Sequence, residues 1–364
     1  MDSSRRKTTI HDVARAAEVS AITVSRVLSG NGYASAPTRA AVERAAKKLG
    51  YVPNRIASSL ASGRTKAIGL VVPNIASVYF AEIALGVENA STPAGYHLIV
   101  TNTSGSLEQE KRILDFLHQT RVDGIIMAGA RLPNATLVRA LAHFPAFVSI
   151  NHPISSRRGG IIVSEQAEGM AMAVEHLVRG HRRVIAFMAG PQNSYTAAER
   201  LRGYRAAMER FDLPVRPELI VPYEINYGEE YHSDWEWFDS ADVGSAEWNE
   251  RRATLGSRGA LALLSQQREV DAIVCFDDQL AFGVLQACAR LGRRVPDDVA
   301  VIGCNDIPLA IQVTPTLTTQ RIPRYRIGKR AVEMLIEQLN GERPREPAIF
   351  PHELIVRESA PAAT

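Results

Sequence analysis

The 364-residue chain is short of the features that would make it membrane-bound, disulfide-stapled or nucleotide-dependent. It holds three cysteines, Cys275, Cys288 and Cys304, an odd number in apolar surroundings. That excludes a disulfide framework and reads as buried free thiols in a reducing compartment. No apolar run approaches the roughly 18 residues that cross a bilayer. The opening Met1–Lys7 is polar and basic, so no secretory signal is expected and the cytoplasm is the default. No Gly-x-Gly-x-x-Gly turn follows the first apolar run, Ala67 to Val72. A P-loop lysine and a Gly-x-Ser-x-Gly elbow are also missing, which removes dinucleotide, phosphoryl-transfer and hydrolase chemistry of those kinds.

Net charge is also scarce, +3 for the whole chain, but it is unevenly placed. Residues 1–66 carry 12 basic and 4 acidic side chains, a balance of +8, which leaves −5 for the remainder. A small basic head on a mildly acidic body suggests a polyanion for the head and another task for the body. At roughly 100 to 200 residues per domain the length allows two or three domains.

In the head, Thr9 can cap a helix over residues 10–17, and Ser20 a second over Ala21 to Leu28. A third runs from about Pro37 to Leu49 and stops at Gly50. Two short helices on a tight turn with a supporting third form a helix-turn-helix, whose second helix enters the major groove. A plain helical bundle is the alternative. The many cations near these helices, Arg26, Arg39, Arg44, Lys47 and Lys48 among them, favour contact with phosphates.

Beyond Lys66 the periodicity alternates between buried strands and amphipathic helices: strand Ala67–Val72, helix Val78–Ser91, strand His97–Thr101, helix Leu107–Gln119, strand Val122–Met127, and again from Arg183 onward. Repeated strand–helix units imply an α/β fold of two doubly wound parallel-sheet lobes, with a ligand in the cleft between them. Asp277 and Asp278 are an acid pair with no partner histidine. Glu229, Glu230, His232 and Asp234 could make a metal site, but a solvated acidic loop fits the segment better. No catalytic residue, metal or cofactor is therefore assigned, and binding is favoured over turnover.

Thr9-Ile10-His11-Asp12-Val13-Ala14, Val19 to Leu28, Leu49-Gly50-Tyr51-Val52-Pro53-Asn54, Gly63-Arg64-Thr65, Ile68 to Pro73 and Thr314 to Thr319 occur in this order. Together they closely resemble the lactose/galactose-repressor (LacI-GalR) family of transcriptional regulators over nearly the whole chain. The resemblance implies a helix-turn-helix DNA-binding domain at 1–50, a hinge helix and linker at 51–66, and an effector-binding core of periplasmic-binding-protein type at 67–364. It places the first lobe at about 67–168 and 306–332, and the second at about 169–305 and 333–364. It implies a homodimer, with a tetramer as the larger alternative, that binds a double-stranded, palindromic DNA operator and no membrane. Ala21, Ile22 and Arg26 fall at base-reading positions, Thr23 and Ser25 suit phosphate contacts, and Thr9, Ser20 and Asn54 complete the DNA-binding set. Arg26 can bond guanine O6 and N7 together, or hold a phosphate. In the hinge, Leu60 matches the family's minor-groove wedge and Ala57 the close helix–helix contact.

In the core, the resemblance places Tyr79, Phe80, Asn151, Arg200 and Asp278 around a small-molecule effector, a sugar or sugar derivative. Asn151 stands where the family usually has Asp, Ser164-Glu165 replace its Asp-Asn, and Cys304-Asn305-Asp306 replace its aromatic-Asp-Asp. These departures tell against an ordinary hexose pocket, and Gln192-Asn193-Ser194-Tyr195 lacks the pocket arginine of the purine-sensing branch. The segment Tyr223 to Glu250 has nine acids, no Lys or Arg, and all three tryptophans. Its place after a strand of the second lobe makes Tyr227, Trp235 or Trp237 a candidate lining or lid; a self-packed excursion or a contact with another chain is the alternative.

Overall fold

Residues 67–72 are apolar at every position, and a strand with that pattern is stable only where helices cover both faces of its sheet. In the computed structural model five of its six residues are buried. The structure describes residues 8–29, 33–52, 63–154, 158–192, 194–223, 245–342 and 346–362, with 29 and 245–251 as backbone only.

The chain forms two compact units, Met1–Lys66 and Ala67–Thr364. Among the described residues the first contains three helices: α1 (Ile10–Ala16), α2 (Ala21–Ser29) and α3 (Ala36–Leu49). Thr9 and Asp12 form a reciprocal capping box at the start of α1. The Thr23 amide donates to Ser20 Oγ at 3.1 Å at the head of α2, and Ser35 caps α3. Gly50, at φ 60°, stops α3 in the left-handed region open to glycine. Val13, Val24, Val27, Val42, Ala45 and Ala46 form the unit's small core.

The second unit has two six-stranded sheets. The first is ordered β2 (His97–Asn102), β1 (Ala67–Val72), β3 (Gly124–Ala128), β4 (Ala146–Ile150), β5 (Gly160–Ser164) and β11 (Ala348–Phe350), all parallel. The second is ordered β7 (Ile220–Val221), β6 (Ile185–Met188), β8 (Ala272–Cys275), β9 (Ala300–Asn305), β10 (Thr318–Arg321) and β12 (Glu353–Ile355). Among the described strands only β12, at an edge, runs antiparallel to its neighbour. The three cysteines are buried and free, and burial pushes the Cys288 thiol up to about 11.

The chain passes between the lobes three times, at 164–166, 321–324 and 350–353. The second and third passages differ from the expected partition. Residues 306–332 were assigned to the first lobe, yet β10 is hydrogen-bonded to β9 in the second sheet. Residues 333–364 were assigned to the second, yet helix Arg324–Leu339 covers β3, β4 and β5 of the first, and β11 extends that sheet. Hydrophobic periodicity marks a strand without saying which sheet receives it, so a crossing between two similar sheets leaves no local signal.

Candidate functional site

In a doubly wound sheet, adjacent connections leave on opposite faces where the strand order reverses, and a crevice opens at the carboxyl ends of those strands. In the first lobe that reversal lies between β1 and β3, in the second between β6 and β8. Residues from these ends line one cleft enclosing about 1010 Å³, including space open to solvent. Asn74, Ser77, Tyr79, Phe80, Arg131 and Asn151 contribute from the first lobe. Ser194, Arg200, Tyr223, Arg252, Phe276, Asp277 and Asn305 contribute from the second.

The Tyr79 and Phe80 rings meet edge to face, centroids 5.0 Å apart, as an aromatic wall. Phe80 can lie there because Gly129, at φ 74°, has no side chain; a Cβ on it would stand 3.2 Å from the ring. Asn151 is buried at φ 51°, a conformation asparagine tolerates. It accepts from the Ser164 amide at 2.7 Å and donates to Tyr79 Oη at 2.9 Å. Burial raises the pKa of Tyr79, so the phenol stays protonated. Across the cleft, Arg200 is 2 % exposed. It donates from Nε to Gln166 Oε1 at 2.7 Å and from Nη1 to the Phe276 carbonyl, with its guanidinium 4.6 Å from the Phe276 ring centroid.

Asp278 is placed differently from its neighbours. It is fully buried, accepts from the Ile307 amide at 2.8 Å and from the Thr319 hydroxyl, and lines a smaller pocket that adjoins the main cleft at Ser77, Tyr79, Arg252 and Asn305. Burial raises its carboxyl to about 7. The residue that faces the cleft is Asp277, which caps helix Asp278–Arg290 through the Leu280 amide and pairs with Arg252 at 2.8 Å. Adjacent residues at a strand-to-helix turn point in different directions, so a one-residue choice between two aspartates is beyond a sequence pattern. Arg131, Arg252 and Asn305 were also missed. Each is an ordinary polar residue in sequence, and only the sheet order brings it to the crevice.

In the first unit, Val24 and Val27 face inward while Ile22, Ser25 and Arg26 are exposed, Ile22 at 67 %. Ala21 and Thr23 are half-buried beside them. Ser20 and Thr9 spend their hydroxyls on helix capping. Tyr33, 93 % exposed, adds an aromatic that sequence reasoning passed over. Asn54, Ala57, Leu60, Tyr227, Trp235 and Trp237 lie outside the described residues. Among the described residues no cluster of His, Cys, Asp and Glu could hold a metal ion, and no helix is long and apolar enough to cross a membrane.

A helical unit whose second helix exposes Ile22, Ser25 and Arg26, followed by two sheets that share a cleft, fits a ligand-responsive DNA-binding regulator. Comparison with known proteins identifies which kind. Residues 9–54 match the bacterial regulatory proteins of the lacI family, residues 65–223 the periplasmic binding proteins and sugar binding domain of the LacI family, and residues 174–360 a periplasmic binding protein-like domain. The chain belongs to the lacI family of bacterial regulatory proteins. It is 30% identical over 357 residues to the ribose operon repressor of Halalkalibacterium halodurans, covering 97% of both chains. It is 33% identical over 355 residues to the transcriptional repressor PurR of Escherichia coli, covering 96% of both. Among solved structures, the Lac repressor dimer bound to operator and the anti-inducer ONPF aligns with TM-score 0.82 and 26% identity, covering 98% of this chain and all of the other. The regulator CelR in complex with cellobiose aligns with TM-score 0.68 and 28% identity, covering 97% and 100%. These relatives are repressors and regulators, and the protein is accordingly a DNA-binding repressor that responds to a small molecule, not an enzyme.

Proposed function

We propose that the protein is a cytoplasmic, homodimeric repressor of carbohydrate-utilisation genes. It reads a palindromic operator with α2 and releases or engages it according to a sugar or sugar derivative held in the interlobe cleft. The observation that carries this reading is the cleft itself: an aromatic wall, Tyr79 and Phe80, opposite a buried guanidinium, Arg200, with Asn151 between polar groups of the first lobe. Apolar rings stack on the faces of a sugar, and amides and guanidinium bond its hydroxyls, so an analogue lacking a hydroxyl leaves a buried polar group unpaired. Asp278 supports the cleft from beneath, through Ile307 and Thr319. On the DNA, Ala21, Ile22 and Arg26 take the base edges, and Thr9, Ser20, Thr23, Ser25 and Asn54 the flanking contacts. Leu60 and Ala57 act in a hinge helix too short to be stable alone. The effector switches binding because it favours one cleft geometry over another; equal affinity for both would shift nothing.

The test is selection of bound DNA from a random pool by the full-length protein, followed by titration with a sugar panel. The reading expects an inverted repeat among the selected sequences, loss of binding in the Arg26→Ala/Leu60→Ala variant, and a change of affinity with one class of sugar. Retained affinity in that variant counts against the head assignment. If Tyr227, Trp235 or Trp237 borders the effector, the same titration changes intrinsic tryptophan fluorescence.

A further inference from the structure

Among the described residues the charges lining the cleft do not cancel: Arg131, Arg200, Arg252 and Asp277 are the ionised ones, three cations to one anion. Asp277 is committed to Arg252, at 2.8 Å. Arg200 has neutral acceptors, the Gln166 amide oxygen and the Phe276 carbonyl, with the Phe276 ring beneath it. Arg131 has less: its Nε and Nη1 are buried with no hydrogen-bond partner. The nearby carboxylate, Glu110, turns its oxygens to the backbone amides of Arg131 and Leu132, at 2.9 and 3.3 Å. No ion pair joins Glu110 to the Arg131 guanidinium among the described residues. Burial holds the pKa of Arg131 below its usual value; Tyr223 and Glu110 oppose that shift and Arg252 adds to it. A buried guanidinium with idle donors is costly in a folded protein and persists where a ligand completes it. A second idle group shares the cleft, since Asn305 Oδ1 is buried without a donor.

Resting on the reading of the cleft as the effector site, we propose that the effector is an anionic sugar: a polyhydroxy compound whose carboxylate or phosphate oxygens sit on Arg131, with a hydroxyl donating to Asn305. Charge-assisted bonds from a guanidinium to an oxyanion are about twice as strong as neutral ones, and a neutral sugar leaves Arg131 unmatched. Arg131 thereby sets which class of sugar the regulator senses, while Phe80 and Arg200 hold the ring common to all of them.

The full-length protein is titrated with matched sets, namely glucose, glucuronate and glucose 6-phosphate, and galactose, galacturonate and galactose 6-phosphate. Binding is read by calorimetry and by melting temperature, for the wild type, Arg131→Met and Phe80→Ala. The proposal expects an acidic member to bind at least about ten-fold more tightly than its neutral counterpart. It expects Arg131→Met to erase that preference while leaving the ligand-free melting temperature equal or higher, because an unmatched buried charge has been removed. The arm that responds identifies carboxylate or phosphate as the group on Arg131. Binding of a neutral member equal to or tighter than its acidic partners, lost in Phe80→Ala and intact in Arg131→Met, overturns the anion and leaves the cleft reading standing. Absence of any response to the acidic members overturns the inference, and silence from the neutral members as well removes the cleft reading with it. A lower ligand-free melting temperature in Arg131→Met also overturns it, since the guanidinium would then be a structural group.

Discussion

Arg200 is held in the cleft by a relay of amides and hydroxyls that begins in the other lobe. Tyr79 Oη accepts from Asn151, whose Oδ1 accepts from the Ser164 hydroxyl at 3.0 Å; Gln166 donates to that same hydroxyl and accepts from Arg200 Nε. Ser164 and Gln166 flank the first passage between the lobes, so the relay spans that passage. Removing Gln166 would leave a buried cation with an unmet donor, which costs about 1 to 3 kcal/mol. Gln166→Leu is expected to lose about 2 kcal/mol in urea unfolding and to weaken effector binding together. Unchanged stability would show that Arg200 finds another acceptor.

The third passage contains a titratable counterpart. His352 is buried, its Nδ1 lies 2.9 Å from Gln320 Oε1, and burial, with Arg200 adding, lowers its pKa to about 3. Below the ordinary histidine value of about 6.5 the unfolded chain takes up a proton that the folded chain refuses. The stability due to the neutral ring is thus complete above about pH 6.5 and is lost as the pH falls toward 3. Wild type should therefore lose up to about 1.4 kcal/mol per pH unit relative to His352→Gln across that window. Parallel pH curves for the two proteins would show an imidazole that titrates as freely folded as unfolded.

At the scale of elements, each lobe locks a helix pair through glycine on both sides. Gly86 of helix Val78–Ser91 and Gly328 of helix Arg324–Leu339 each bring backbone against backbone, a Cβ on either standing 2.2 Å from a carbonyl oxygen of the other helix. Gly256 and Gly283 do the same between helices Ser245–Gln266 and Asp278–Arg290. At Gly283 a Cβ would lie 2.0 Å from the Ala253 carbonyl oxygen. Alanine has the higher helix propensity, yet here Gly283→Ala must push two helices apart, at about 1 to 3 kcal/mol. A lower midpoint in urea unfolding is the expected result, and a gain of stability would deny the close crossing.

The caps at Thr9 and Ser20 and the core helices Val78–Ser91 and Leu107–Gln119 were legible because a cap and a periodic face are local signals. The glycine crossings were not, since an isolated glycine within a helical pattern says nothing of what approaches it. The cleft was legible to the same extent. Tyr79, Phe80, Asn151 and Arg200 do meet there, while the Asp277 and Asp278 distinction and the roles of Arg131 and Arg252 depend on side-chain direction and sheet order.

For the whole molecule, the two units differ greatly in what holds them. Residues 1–66 rest on a cluster of valines and alanines, whereas residues 67–364 contain four clusters rich in Ile, Leu, Met and Phe. A unit of about 60 residues buries a smaller fraction of its surface than one of 300, and its stability is correspondingly marginal. A ligand that binds only the folded second unit stabilises it by RT ln(1 + [L]/Kd), about 2.7 kcal/mol at a hundred-fold excess over Kd. For a unit of this size that amounts to a rise of roughly 5 °C in its melting temperature. Differential scanning calorimetry of the full-length protein, without DNA, is therefore expected to show two transitions. The smaller should come first and stay in place as effector is added, while the larger moves up by roughly 5 °C. An operator fragment should do the reverse, since its proposed contacts are with the first unit. If effector alone shifted both transitions equally, the units would melt together and the effector's influence on DNA would act through shared stability. If only the larger moves, the influence has to come from the geometry the effector selects within the cleft.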